Sequence, residues 1–358
     1  MTNQSTETIA PSLQEVEAYI GRESSYEGAD EVSRNDFRRK LEVYCFYCPI
    51  YYDEAAAKAH GYRTVVAPNT MTSLWSMPPY WRPGEPVFFC PPGLKEKSGG
   101  VHVKVPTPYS HAVNAKAFWE FFDPIYPGDR FKAVGKLVAV TPKRTRLGDG
   151  AFLTREVSIW KTTGELVAKR TSSNFCYNKS SDPKKVVQPT PPVDHELLAR
   201  AMPESNDQVD WSRQRRFEDV VIGDQVPPHR IWLTYQRIVM SVAADRMFYS
   251  VHHNREYARS AGLTDIIFNT KGYEFLTEIT LRKWIGLEGR LRRLGPFEMK
   301  QNTYPGDTVT CSARVVGTEL RDDRGLVSLE YTHETPRAGV MAHGEAVIEL
   351  PRRGEPGS

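Results

Sequence analysis

The chain has 358 residues, with 47 Lys and Arg against 44 Asp and Glu, a net charge of +3. At roughly 150 residues per domain the length suggests two domains; 40% hydrophobic and 25% charged residues exclude disorder and collagen-like repeats, and the balanced charge argues against a nucleic-acid binder relying on a basic surface. No stretch approaches the roughly 20 apolar residues of a membrane span, the opening MTNQSTETIAPSLQE lacks the apolar core of a signal peptide, and five Cys fit a reducing cytoplasm better than a disulfide framework.

From the N-terminus, a helix is expected to open at Ser33, where Ser33-Arg34-Asn35-Asp36 supplies N-cap chemistry. Cys45-Phe46-Tyr47-Cys48 is a C-x-x-C, but Cys90, Cys176 and Cys311 are scattered singly, so small buried cysteines are expected and no metal site. A helix after Asn69-Thr70 can run only to about Met77, because Pro78-Pro79 cannot continue it. The shortened helix leaves space, with Leu74, Trp75, Trp81, Phe88 and Phe89 as candidate lining. Tyr126-Pro127-Gly128-Asp129 makes a tight turn into a strand over 131–140, followed by the basic segment Lys143-Arg144-Thr145-Arg146. A Ser- and Pro-rich linker follows. Another helix opens at Thr234, and a longer one over 270–284 places Gly272, Phe275, Leu276 and Ile279 on one buried face, with Gly286 as its stop. Arg290-Leu291-Arg292-Arg293 comes next, and Tyr304-Pro305-Gly306-Asp307 introduces a strand over 309–316.

These elements repeat. At an offset of 201, Ala57 falls on Ala258, Gly61 on Gly262, Val65-Val66 on Ile266-Ile267, with an Asn-Thr pair close behind in both places. The two Tyr-Pro-Gly-Asp turns are offset by 178, and Gly164 and Gly339 by 175. A falling offset in constant order describes one domain written twice, with deletions in the second copy. The expected organisation is a first domain at 15–178, a linker at 179–211 and a second domain at 212–352. Each copy reads as helices followed by long antiparallel strands, an α+β layout in which a sheet wraps a helix.

Phe217-Glu218-Asp219-Val220, then His252-His253-Asn254-Arg255-Glu256-Tyr257-Ala258, Gly262-Leu263-Thr264-Asp265-Ile266-Ile267 and Tyr304-Pro305-Gly306-Asp307 resemble the MaoC-like, FAS1-type dehydratase family of hot-dog hydratases and dehydratases. Pro49-Ile50-Tyr51-Tyr52-Asp53 and Val66-Ala67-Pro68-Asn69-Thr70 resemble the non-catalytic half of its two-domain members. The resemblance covers nearly the whole chain and implies a double hot-dog that hydrates an enoyl-CoA or dehydrates a 3-hydroxyacyl thioester. It implies no cofactor other than coenzyme A within the substrate, an acyl-CoA or acyl-carrier-protein partner, neither nucleic acid nor membrane, and is compatible with a homodimer.

Residue by residue, His252 falls on the family's catalytic His and Tyr51 occupies that column in copy one. Five residues before His252, where the family has Asp, stands Met247, so Asp245 is the substitute candidate. Asn269 and Thr270 open the helix whose backbone N–H groups would hold the thioester oxygen. Tyr249 and His253 are further substrate-binding candidates, and Arg290, Arg292, Arg293, Lys143 and Arg144 are candidates for the phosphates of coenzyme A. The shortened helix of copy one would admit a long or bulky acyl group. Two rival readings stand beside this one: a thioesterase using a helix carboxylate, Glu274 or Glu278, and a degenerate half that binds acyl-CoA or steadies a partner.

Overall fold

The protein is described by a computed structural model over residues 12–91, 105–109, 111–145, 148–178, 200, 202–206 and 208–354. Most of the expected linker and Arg146 therefore lie outside the described residues. Copy one contains α1 (Leu13–Glu17), β1 (Glu23–Glu27), α2 (Arg34–Val43), α3 (Pro49–Tyr52), α4 (Glu54–Ala59), α5 (Thr72–Trp75) and strands β2 (His111–Phe121), β3 (Phe131–Thr145), β4 (Gly148–Lys161) and β5 (Leu166–Tyr177). Copy two contains β6 (Gln225–Trp232), α6 (Tyr235–Asp245), α7 (Arg255–Ser260), α8 (Thr270–Ile285) and strands β7 (Arg290–Met299), β8 (Thr308–Arg321), β9 (Arg324–Thr335) and β10 (Gly339–Leu350). Among the described residues no helix is long and apolar enough to cross a membrane.

The strand order is β1-β3-β4-β5-β2-β7-β10-β9-β8-β6. Each copy thus has the same internal order, and antiparallel pairing of β2 with β7 joins the two sheets into one of ten strands. The helices start where their caps predict: Ser33 accepts from Asn35 N, and Thr234 accepts from Arg237 N.

The duplication is visible bond by bond. Asp129 accepts the N–H of Tyr126 at 2.8 Å, and Asp307 that of Tyr304 at 2.9 Å. Both turns put glycine in the left-handed region, Gly128 at φ 89° and Gly306 at φ 96°. Each turn then grips the residue before a helix cap: Val32 N–H donates to Asp129 O and Gly128 N–H to Val32 O, while Leu233 N–H donates to Asp307 O and Gly306 N–H to Leu233 O. Val66 N–H to Ile50 O is repeated as Ile267 N–H to Val251 O.

The central helices differ. Copy one has a single 3₁₀ turn at Asn69–Met71 and the four-residue α5, which ends ahead of Pro78-Pro79. Copy two has the 16-residue α8, capped by the Asn269 side chain on Gly272 N. Helix α8 is buried on nearly every side rather than on the one expected face, because it lies between both halves.

Helices α2 and α6 pack together across the halves. Lys40 Nζ, 1% exposed, lies 2.6 Å from Asp245 Oδ2, 7% exposed, and donates to Ser241 Oγ at 3.2 Å. Two ions held this far from water are tolerated only while paired. Asp245→Asn is therefore expected to lower stability by about 3–5 kcal/mol in urea unfolding, since it strands the ammonium. Lys40→Met combined with Asp245→Leu should recover most of that loss; an additive double loss would show that the pair is not what matters.

Candidate active site

Helix α6 ends at Asp245, and Arg246 turns the chain through the left-handed region at φ 53°. The chain then enters a 3₁₀ turn, Ser250–His252, whose N–H at His252 donates to Tyr249 O. This loop is pinned to the segment before α8 from both directions. Ile267 N–H donates to Val251 O at 3.0 Å, and His252 Nδ1 lies 2.8 Å from Ile267 O. A carbonyl only accepts, so Nδ1 carries the proton and Nε2 keeps its lone pair. Burial pushes the imidazole pKa down to about 4, against the pull of the Ile267 carbonyl. His252 is thus a neutral base at neutral pH, with Nε2 unbonded among the described residues.

Three residues after Ile267, α8 begins. Asn269 Oδ1 accepts Gly272 N–H at 2.7 Å, and Tyr44 Oη donates to Gly272 O at 3.0 Å. Gly272 allows Phe268 to close under this turn, since a Cβ would stand 2.2 Å from its ring. Among the described residues the backbone N–H groups of Thr270 and Lys271 have no acceptor, and they stand at a helix end where a partial positive charge collects. Base and helix terminus are brought together by one short run of backbone, Ile267 to Thr270.

The other site candidates fall as follows. Asp245 does not meet His252; its carboxylate is taken by Lys40, and it reaches the helix end only through Asn269 Nδ2 at 3.4 Å. This differs from the expectation of a second group beside the imidazole. The reason is Arg246, whose left-handed turn carries the loop away from the end of α6. Lys40 belongs to copy one and gives no motif that spacing in copy two could reveal. Tyr249 packs edge-on to His252 with ring centres 6.3 Å apart, and burial raises its pKa. His253 faces Phe248, with Nε2 3.4 Å from its carbonyl. Thr270 Oγ1 points to Met299 Sδ.

The basic runs are not brought together, for β3 and β7 are separated by β4, β5 and β2, four spacings or about 19 Å. Arg292 binds Glu349 at 2.8 Å, and Arg293 stacks on Phe118. Arg144 sits at an exposed strand end beside Asp149, with exposed Lys143 next to it. Arg290 lines a small cavity between the two copies. Of the C-x-x-C pair, Cys48 is buried and Cys45 exposed. Of the expected apolar lining, Leu74 and Trp75 are core, while Trp81 and Phe89 are 45% and 76% exposed.

Copy one has the same site in closed form. Tyr51 stands in the histidine position, and the amides of Asn69 and Thr70 both donate to the Glu278 carboxylate, at 2.7 and 2.8 Å, with Thr70 Oγ1 adding a third bond at 2.6 Å. Tyr51, Asn69, Glu278 and Arg282 border a small pocket beside these bonds. Glu274 accepts from Lys271 at 2.8 Å and Trp119 Nε1 at 3.2 Å. Both helix carboxylates that a thioesterase would require are engaged.

The profile described as "FAS1-like, dehydratase domain region" matches residues 18–170. A probable enoyl-CoA hydratase alpha subunit of Thermomonospora curvata is 29% identical over 160 residues, 43% of this chain and 48% of that protein, so the match spans about half the relative's length. A UPF0336 protein of Saccharopolyspora erythraea is 30% identical over 171 residues, 47% of this chain and 95% of that one. A solved MaoC-like dehydratase superposes with a TM-score of 0.67 at 19% identity, covering 94% of this chain and 99% of its own. With the paired five-strand halves and the duplicated loop-and-helix site, these findings establish that the chain belongs to the MaoC-like, FAS1-type dehydratase family and has its double hot-dog fold.

Proposed function

We propose that this protein is an acyl-thioester hydratase/dehydratase acting on an acyl-CoA, with its working centre in the second half at His252 and the N-terminus of α8. The observation that carries the reading is the neutral His252, fixed with Nε2 unprotonated next to unpaired helix amides. In hydration, a water oxygen bonds to Cβ of the enoyl group while Nε2 takes one of the water's protons. The double-bond electrons move through Cα onto the thioester oxygen, whose charge falls on the N–H groups of Thr270 and Lys271. The imidazolium then returns its proton to Cα, and dehydration is the reverse sequence. No second carboxylate is required: the Ile267 carbonyl selects the tautomer, and Asp245 positions the helix cap through Asn269. Tyr249 is assigned to substrate contact. Coenzyme A enters as part of the substrate, and a bulky or extended acyl group is directed toward the space that α5 leaves.

His252→Ala is expected to lower turnover of enoyl-CoA esters by about 100-fold or more with the fold intact by circular dichroism. Unchanged turnover would remove His252 from the mechanism. The pH profile supplies an independent check. The protonated imidazole cannot accept a proton, so activity should be lost as pH falls, and the acid limb should lie near 4, where burial holds the group. The same depressed value makes the contribution of His252 to stability complete above about 6.5 and lost as pH falls through about 4. An acid limb near 6.5, with the protein folded throughout, would contradict this assignment.

A further inference from the structure

The ladders allow the two copies to be compared position by position. In copy two Val315 faces Leu329 and Ala313 faces Tyr331; in copy one Leu137 faces Arg155 and Gly135 faces Val157. One strand further, Leu329 faces Ala346 and Tyr331 faces Gly344, whereas Arg155 faces Ser172 and Val157 faces Arg170. Arg155, Arg170 and Ser172 therefore stand where copy two has Leu329, Gly344 and Ala346. In copy two Leu329 and Ala346 are fully buried core residues. In copy one the helix stops at Trp75, about nine residues short of α8 and so about 13 Å of helix.

These arginines point to the inner face. Arg170 pairs with Trp119 across the ladder, and its guanidinium lies 5.4 Å from that ring. Trp119 in turn donates to Glu274 of α8 and carries Lys271 Nζ 4.1 Å over its ring. Arg155 lies on the same face by strand alternation, since its register to Arg170 runs without a shift. Nε of Arg155, Nε of Arg170 and the Tyr26 hydroxyl are buried without a hydrogen-bond partner. Among the described residues no carboxylate pairs with either guanidinium. Unpaired buried donors are costly, and copy two shows that apolar residues fit these positions. Arg170 is near enough to act electrostatically on Tyr249, on Lys271 and on Tyr26, so this face continues from the His252 site.

We infer that the part of this sheet face that α5 stops short of, between Trp119 and the stretch covered by Val16 of α1, is the distal acyl subsite, and that it takes an acyl chain ending in a carboxylate, bound by Arg170 and Arg155. This rests on the reading that the thioester end lies at His252. Glu274 is one helical turn, about 6 Å, beyond Thr270, and Trp119 and Arg170 follow it, so the arginines lie beyond the thioester end and toward the far end of the chain.

The test compares six- and eight-carbon 2-enoyl-CoA esters ending in carboxylate with methyl-ended esters of equal length. The wild type should prefer the carboxylated esters by about 30-fold or more in kcat/KM. Arg155→Met and Arg170→Gln should each remove about 10-fold of that preference, with the loss falling on the carboxylated esters and not on the methyl-ended ones. No preference in the wild type, or equal losses on both esters, overturns the inference. Calorimetric binding of the saturated carboxyl-ended and methyl-ended acyl-CoA esters needs no chemistry: a retained preference without turnover would sink the hydratase reading and spare this one. Repeating the binding with N-acetylcysteamine thioesters separates the acyl carboxylate from the phosphates of coenzyme A as the anion bound. If the preference vanishes in those shortened esters, the arginines serve the nucleotide and the inference fails.

Discussion

Everything in this molecule is arranged around one buried helix that carries charge. Helix α8 contains Lys271, Glu274, Glu278 and Arg282, all buried, and a helix of this kind is stable only if each ion finds a fixed partner. Lys271 and Glu274 meet each other, and Trp119 of copy one completes Glu274. Glu278 is taken by the amides of copy one, and Arg282 donates to the carbonyls of Gly286 and Gly289. Copy one closes the set from the other side, with Tyr44 on the Gly272 carbonyl and Lys40 on Asp245. Together with the β2–β7 ladder, these directional contacts set one register between the halves.

The same requirement explains why the two copies diverged in opposite directions. Copy two keeps a full central helix of 16 residues, whereas that of copy one stops after four. Glu278 of copy two then fills the helix end of copy one, so that end cannot also receive a thioester oxygen. Copy one gives up its own site and its helix, and the strands that helix would have covered are released from the apolar pattern. Arg155 and Arg170 occur on this released surface, whereas Leu329 and Ala346 remain under α8.

Much of this was legible in the residues, for definite reasons. Caps and turns are local, so Ser33, Thr234, Asn269 and the two Pro-Gly-Asp turns marked their elements, and Pro78-Pro79 marked the short helix. The repeat told which loop would carry His252. Three features were hidden because they are relations between distant segments. Lys40 reads as a surface residue of an amphipathic helix until α6 is laid against it. Helix α8 reads as one-faced because its buried Lys, Glu and Arg look like a solvent side, and their partners lie up to 209 residues away. Arg155 and Arg170 read as outward-facing strand residues, since alternation gives the face but not which face is inner. The separation of the two basic runs was hidden likewise, since sequence says nothing about the four strand spacings that part them.

On the proposed reaction, a His252 with no carboxylate beside it changes what the rest of the site must supply. A carboxylate beside an imidazole both orients it and raises its pKa, making a stronger base that is protonated more readily. Here orientation comes from the Ile267 carbonyl, which carries no net charge, and burial drives the pKa down. The resulting base is always available at neutral pH but pulls weakly on a proton. On the proposed reaction, the deficit has to be met where charge develops, at the thioester oxygen. The helix end offers that much: the amides of Thr270 and Lys271 are unpaired among the described residues, and the helix dipole adds to them. A weak base set against a strong anion site favours the enolate over direct proton transfer from an unactivated water, so the unpaired amides, not a missing aspartate, are what the architecture protects most closely.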